Sequence, residues 1–235
     1  MSRLLIRYAK EGRVRFLSHL EVAKVLERAL RRAAFPLAIS GGYHPKPRLS
    51  YGPALSLGAS STSEYVVVFL EEEIPLDLVK SKLSRELPEG LRLMDAEYIP
   101  DGAPSIGRIA KVASYDVFIS TNRELTEKEV SASIAWLFKQ DKLVVEKESG
   151  VKQVKRSEAV LDIAGEPVEG GVDFEFLLSV GGSESVRPDS LGALIVGNLS
   201  IEITGVEIER TGLFALVDGR PVDVMEYYRR ADTGF

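Results

Sequence analysis

The chain contains no cysteine. Disulfides, thiolate nucleophiles, iron–sulfur ligation and thiolate zinc sites are therefore excluded within it. It has only two histidines, His19 and His44, about 25 residues apart. That spacing matches no compact ligand motif, so neither a metal nor a cofactor is expected. No run of about 18 apolar residues occurs, so no membrane span is expected. The opening MSRLLIRYAKEGR places charges inside any apolar stretch and does not read as a secretory signal. The chain reads as soluble and cytoplasmic. It also lacks a Walker loop, a dinucleotide fingerprint and any Ser/His/Asp spacing. Glycine pairs such as Gly181-Gly182 lack the strand-to-helix context that phosphate loops need.

What remains is a 235-residue chain that is 45% hydrophobic, enough for one large domain or two of about a hundred residues. Its net charge of −5 is unevenly spread. Residues 1–60 hold eleven Lys/Arg against three Glu, a net +8, so the remainder is a net −13. An asymmetry of this kind points to a polyanion partner for the basic segment.

Periodicity divides the chain in two. Residues 4–8 alternate like a strand, Lys10-Glu-Gly12 reads as a turn, and residues 13–16 alternate again. Ser18 and Glu21 form a capping box that opens a helix, which Pro36 stops near Phe35. Residues 40–52 read as a loop of Gly, Pro, aromatics and base. Residues 54–58 and 64–70 read as a hairpin, 75–87 as a helix and 91–99 as a strand. This β-α-β-β-α-β order predicts a ferredoxin-like (split β-α-β) domain over 1–100.

After a Pro/Gly linker at 100–110 the pattern recurs. Strands are expected at 114–120, 142–148, 172–180 and 199–210, and helices from Thr126 (a second capping box, with Glu129) and from Arg187. Residues 151–162 fit no single pattern. The tail reads as a strand at 214–217 and a helix near 224–230. The fold class predicted is α+β: tandem ferredoxin-like domains with antiparallel sheets, a basic one at 1–100 and an acidic one at 111–235.

The candidate interface residues lie in the basic segment. Arg7, Arg13 and Arg15 are expected on the sheet face opposite Val14 and Phe16, with Lys10 in the turn beside them. Lys24, Arg28 and either Arg31 or Arg32 share a helix face at spacings of three to four. Lys46 and Arg48 sit in the loop with Tyr43, His44 and Tyr51. Arginine forks match phosphate oxygens, and aromatics stack on unpaired bases. The alternatives are a solvated face, an acidic protein surface and, for Tyr51, a place in the core. His19 lies in the first turn of the first helix, where the helix N-terminus favours a neutral imidazole. With His44 or Tyr43 it is a candidate general base for cleavage at the RNA 2′-hydroxyl, against the plainer reading of a packing histidine. The acids at 71–73 precede a helix N-terminus, and Asp162, Glu166 and Glu169 surround a turn; both sets read as solvated.

Two stretches carry a resemblance. These are Arg7-Tyr-Ala-Lys-Glu-Gly-Arg-Val-Arg-Phe-Leu-Ser-His-Leu-Glu21 and Ser40-Gly-Gly-Tyr-His-Pro-Lys-Pro-Arg-Leu-Ser-Tyr-Gly-Pro-Ala-Leu-Ser-Leu-Gly58. With Glu64-Tyr65 and the later Arg210-Thr-Gly-Leu-Phe214, they resemble a bacterial family of uncharacterised radical SAM-linked proteins. That family is a domain of unknown function found beside or fused to cobalamin-binding radical SAM proteins. The resemblance implies a radical SAM partner and a link to RNA processing or modification. It supplies no reaction. The tandem fold with a basic first helix also resembles, as analogy only, RNA-handling proteins of CRISPR systems. The leading expectation is thus a non-catalytic RNA-binding adaptor that presents tRNA or rRNA to a radical SAM enzyme. The alternatives are a protein–protein docking module for that enzyme and a metal-independent endoribonuclease.

Overall fold

The computed structural model describes residues 1–147 and 150–232. It divides into two compact units, Met1–Ala110 with Leu213–Phe235, and Lys111–Gly212.

The first unit begins with β1 (Ser2–Lys10), a helical 3₁₀ turn at Gly12–Phe16 and α1 (His19–Arg32). It continues through β2 (Leu49–Tyr51), β3 (Ser60–Leu70), α2 (Leu76–Glu86), β4 (Leu91–Ile99) and a short α3 (Ile106–Ile109). β1 is the central strand, antiparallel to both β3 and β4, and β2 pairs with the end of β3. Burial on both faces explains why β1 reads as a nearly continuous apolar run. Leu4, Ile6 and Tyr8 pack with Val66, Val68 and Leu70 beneath Val22, Leu26 and Leu30 of α1 and Val79 and Leu83 of α2. Each such aliphatic side chain contributes about 1.5–3 kcal/mol by leaving water.

Three segments depart from the pattern expected of them. Residues 13–16 are not a strand. Gly12, at φ +55°, turns the chain out of the line of β1, whose two edges are already filled. Residues 54–58 are not the hairpin strand. The strand ends at Tyr51, Gly52 N–H donates to the Tyr65 carbonyl, and Pro53 has no N–H to extend the ladder. The 100–110 segment is not a free linker, because Ile106 of α3 is fully buried. Arg3 also donates through Nη1 to the carbonyls of Pro100 (3.0 Å), Asp101 (3.0 Å) and Ala103 (2.6 Å).

The second unit runs through β5 (Ala110–Thr121), α4 (Glu127–Phe138), β6 (Lys142–Lys147) and β7 (Gly150–Lys155). After these come α5 (Arg156–Ala159), β8 (Val160–Val168), β9 (Gly171–Ser179), α6 (Pro188–Gly197) and β10 (Ile203–Val217). Its strand order is β10-β5-β9-β8, and β6 and β7 form a separate hairpin. Segment 151–162, which fits no single pattern, is thus three elements in succession. Val117, Ile119, Phe174, Phe176 and Leu178 are buried on one sheet face. Gly192 lets α6 approach it, since a Cβ there would fall on the Ile119 side chain.

The tail completes the first unit. β11 (Arg220–Asp223) pairs with the end of β10, and α7 (Val224–Asp232) follows. The Tyr65 hydroxyl donates to Asp223 (3.0 Å), and the Tyr228 hydroxyl donates to the Pro104 carbonyl (2.7 Å). Sequence pattern anticipates residues 214–217, which form the end of β10, and α7, but not β11, and it attaches the tail to the 111–235 domain rather than to the first unit. Among the described residues, no helix is long and apolar enough to cross a membrane.

Candidate nucleic-acid interface

The loop after α1 is a built hairpin. Arg48 N–H donates to the Ala38 carbonyl (2.9 Å) and Ser40 N–H to the Lys46 carbonyl (2.8 Å). Lys46 N–H returns to Ser40 Oγ (3.1 Å). Gly42, at φ +108°, makes the tip, a conformation glycine adopts without strain. Tyr43 stands at that tip 97% exposed, edge-on to His44 with ring centroids 5.5 Å apart. At the stem, the Arg48 guanidinium lies 4.6 Å over the Phe69 ring.

Tyr51 has the other role. Its ring meets His19 edge-on at 5.4 Å, and its hydroxyl donates to the Ala23 carbonyl (3.3 Å). Burial, then the Glu27 charge, pushes its phenol well above the ordinary range. It fixes the hairpin base against α1. The histidines therefore sit in separate aromatic pairs, His19 with Tyr51 and His44 with Tyr43. Among the described residues, no hydrogen bond joins either imidazole to a carboxylate, the partner that usually orients a general base. Nor, among the described residues, do any three His, Asp or Glu lie close enough to hold a metal ion.

The cations divide into two groups. Some serve the fold or are matched locally. Arg7 Nε donates to the Thr62 carbonyl (3.0 Å). Lys10 is only 3% exposed, and its Nζ donates to the Leu17 carbonyl (2.8 Å), tying down the exit of the 3₁₀ turn. Arg31 pairs with Glu27 (3.1 Å) and Arg32 with Glu86 (2.8 Å). Such exposed pairs hold weakly, about 0–1 kcal/mol, but they cancel local charge. The second group is Arg13, Arg15, Lys24, Arg28, Lys46 and Arg48. Among the described residues, no ion pair engages any of them, and all but half-buried Arg15 are exposed.

The capping box forms as the sequence pattern predicts. Glu21 N–H donates to Ser18 Oγ (3.3 Å), and Ser18 N–H donates to the Glu21 carboxylate (2.8 Å). The Ser18 hydrogen bonds, with help from Lys24, hold the Glu21 carboxyl below its ordinary range. An anion thus already occupies the α1 N-terminus. Free phosphate-binding capacity lies instead along the helix side and in the 3₁₀ turn.

The structure adds residues that sequence reasoning did not single out. Phe16 is 59% exposed, Leu20 71% and Leu57 65%. A signal existed for Leu20. The buried stripe of α1 is Val22, Leu26, Ala29 and Leu30, whereas Leu20, Lys24 and Arg28 recur every four residues on the outward side.

The sequence matches, over residues 3–188, the family described as "Uncharacterized protein conserved in bacteria (DUF2344)". No curated protein matches it. Among solved structures, one titled "Crystal Structure of a Cbf5-Nop10-Gar1 Complex" is similar, at 13% identity and TM-score 0.54 over 89% of this chain and 48% of that one. Another, "Structure of H/ACA RNP bound to a substrate RNA containing 2'-deoxyuridine", gives 12% identity and TM-score 0.50 over 88% of this chain and 46% of that one. The chain spans about half the length of these neighbours. At such identities the likeness is one of fold. By the span of the family match, the chain belongs to the DUF2344 family.

Proposed function

We propose that this DUF2344 protein is a non-catalytic RNA-binding adaptor, built from two split β-α-β units, that presents tRNA or rRNA to a radical SAM enzyme. The observation that carries the reading is the set of cations that no ion pair engages among the described residues, Arg13, Arg15, Lys24, Arg28, Lys46 and Arg48, all in the first unit. Clustered cations on phosphates gain affinity by releasing counterions, and arginine forks fit phosphate oxygens. Tyr43 and His44 at the hairpin tip add aromatic faces for bases. The strand orders β4-β1-β3 and β10-β5-β9-β8 fit the tandem split β-α-β reading. A solved structure of similar fold contains a bound substrate RNA, which accords with the reading without carrying it. The radical SAM partner rests on the family resemblance of residues 7–21 and 40–58.

The rival is a docking module whose basic face meets acidic protein. The ultraviolet absorbance ratio of gently purified protein separates the two. The adaptor retains RNA at low salt, and sequencing returns one enriched class. A protein that comes away free of nucleic acid, yet still holds its partner after nuclease treatment, is a docking module.

A further inference from the structure

We infer that the patch around Phe16 receives an unpaired nucleobase, so that the RNA recognised is single-stranded or looped-out rather than fully paired. This rests on the RNA-binding reading above and narrows its ligand.

The patch is preorganised. Lys10 ties the exit of the 3₁₀ turn through the Leu17 carbonyl (2.8 Å). Its entrance is held by Glu11 N–H on the Gly90 carbonyl (2.8 Å). Gly58 N–H donates to the Arg15 carbonyl (3.0 Å), placing the 57–58 turn against it. Gly58 has φ +83°, and a Cβ there would stand 3.8 Å from Phe16 Cε1, so the ring lies beside that turn. The Arg15 guanidinium sits 4.9 Å over the same ring. Phe16, Leu20 and Leu57 are all more than half exposed.

The chemistry favours a base. Bases stack on aromatic rings and on arginine planes, and both are present here as one pair. Arg13 and Lys24, exposed and outside any ion pair among the described residues, can hold the flanking phosphates. A paired A-form helix hides its base faces and offers this patch only phosphates and 2′-hydroxyls, leaving Phe16, Leu20 and Leu57 without apolar partners.

The test uses the full chain and two RNAs with equal phosphate numbers, a stem-loop with a six-uridine loop and its fully paired counterpart. The stem-loop should bind more tightly. Phe16→Ala should weaken stem-loop binding about tenfold, the scale of one lost base stack. It should leave duplex binding within about twofold, while Phe16→Tyr keeps the wild-type preference. Since Phe16 is largely exposed, the fold tolerates both changes. Equal weakening on both RNAs, or no effect of Phe16→Ala, overturns the base-stacking inference while RNA binding stands. Failure of both RNAs to bind overturns the RNA reading itself, and the inference with it.

Discussion

The two units start their first long helices with the same device and then present opposite charge to solvent. Ser18 with Glu21 caps α1, and Thr126 with Glu129 caps α4. Beyond the cap, α1 carries Lys24 and Arg28 outward. The outward face of the second unit's strands carries Asp116, cross-strand from Glu175, and Asp173, cross-strand from Glu166. Burial, then the Glu175 and Asp173 charges, raises the Asp116 carboxyl above its ordinary range. The inward residues do the same work in both units, so packing explains neither sign. Outward charge is free to vary with the fold unchanged, and one-signed clusters therefore report on partners rather than on architecture.

Replacing Arg13, Arg15, Lys24 and Arg28 together by alanine should lower RNA affinity at least a hundredfold at about 50 mM salt, measured by fluorescence anisotropy. Far-ultraviolet circular dichroism should be unchanged, because none of the four is buried.

Next comes the support of the 3₁₀ turn. Gly90 has φ +88°, and a Cβ there would lie 2.7 Å from the Glu11 carbonyl oxygen and 2.8 Å from Val14. Gly90→Ala should cost about 1–3 kcal/mol in chemical denaturation and weaken RNA binding through the displaced turn. Unchanged stability and binding together would remove Gly90 from the site's scaffold.

The Arg123 hydrogen bond, followed by those from Thr126, pulls the Glu129 carboxyl down to about 2. A depressed carboxyl stabilises the fold above its unfolded value of about 4.3 and loses that contribution as pH falls towards 2. Glu129→Gln should therefore flatten the acid-induced loss of stability in that window. Asp116 has the opposite sign, since a raised carboxyl opposes folding once ionised. Asp116→Asn should stabilise the protein at pH 7 by about a few tenths of a kcal/mol, and the gain should vanish once Asp116 is protonated.

The smallest effect is the control. Arg31→Ala should change stability by less than about 0.5 kcal/mol and RNA affinity by less than about threefold, because Glu27 already offsets that charge. A loss as large as that for Lys24→Ala would return the site to the whole helix face.

Much of the fold was legible where pattern and burial agree. The strand at 91–99, both capping boxes and the two tail elements follow from spacing that local chemistry enforces. Residues 13–16 misled because four alternating residues fit a strand only if an edge is open, and β3 and β4 flank β1. Residues 151–162 resisted because β7, α5 and the start of β8 share them, leaving no element long enough to show its period.

The site was legible as a basic, aromatic segment, but not as a sorted one. Arg32 is matched by Glu86, Arg7 by the Thr62 carbonyl and Arg3 by carbonyls near residue 100. Only the folded chain brings those partners near. The exposure of Phe16 likewise follows from the 3₁₀ turn, which the alternation concealed.

The salt dependence of RNA affinity, measured for the wild-type chain and the four-cation variant, tests directly whether these cations hold RNA phosphates. With about six phosphate contacts, the wild-type plot of log affinity against log salt should slope near −4, and each cation removed should reduce the slope by about 0.7. A flat wild-type plot, or equal slopes for the two proteins, would mean that these cations do not bind RNA phosphates.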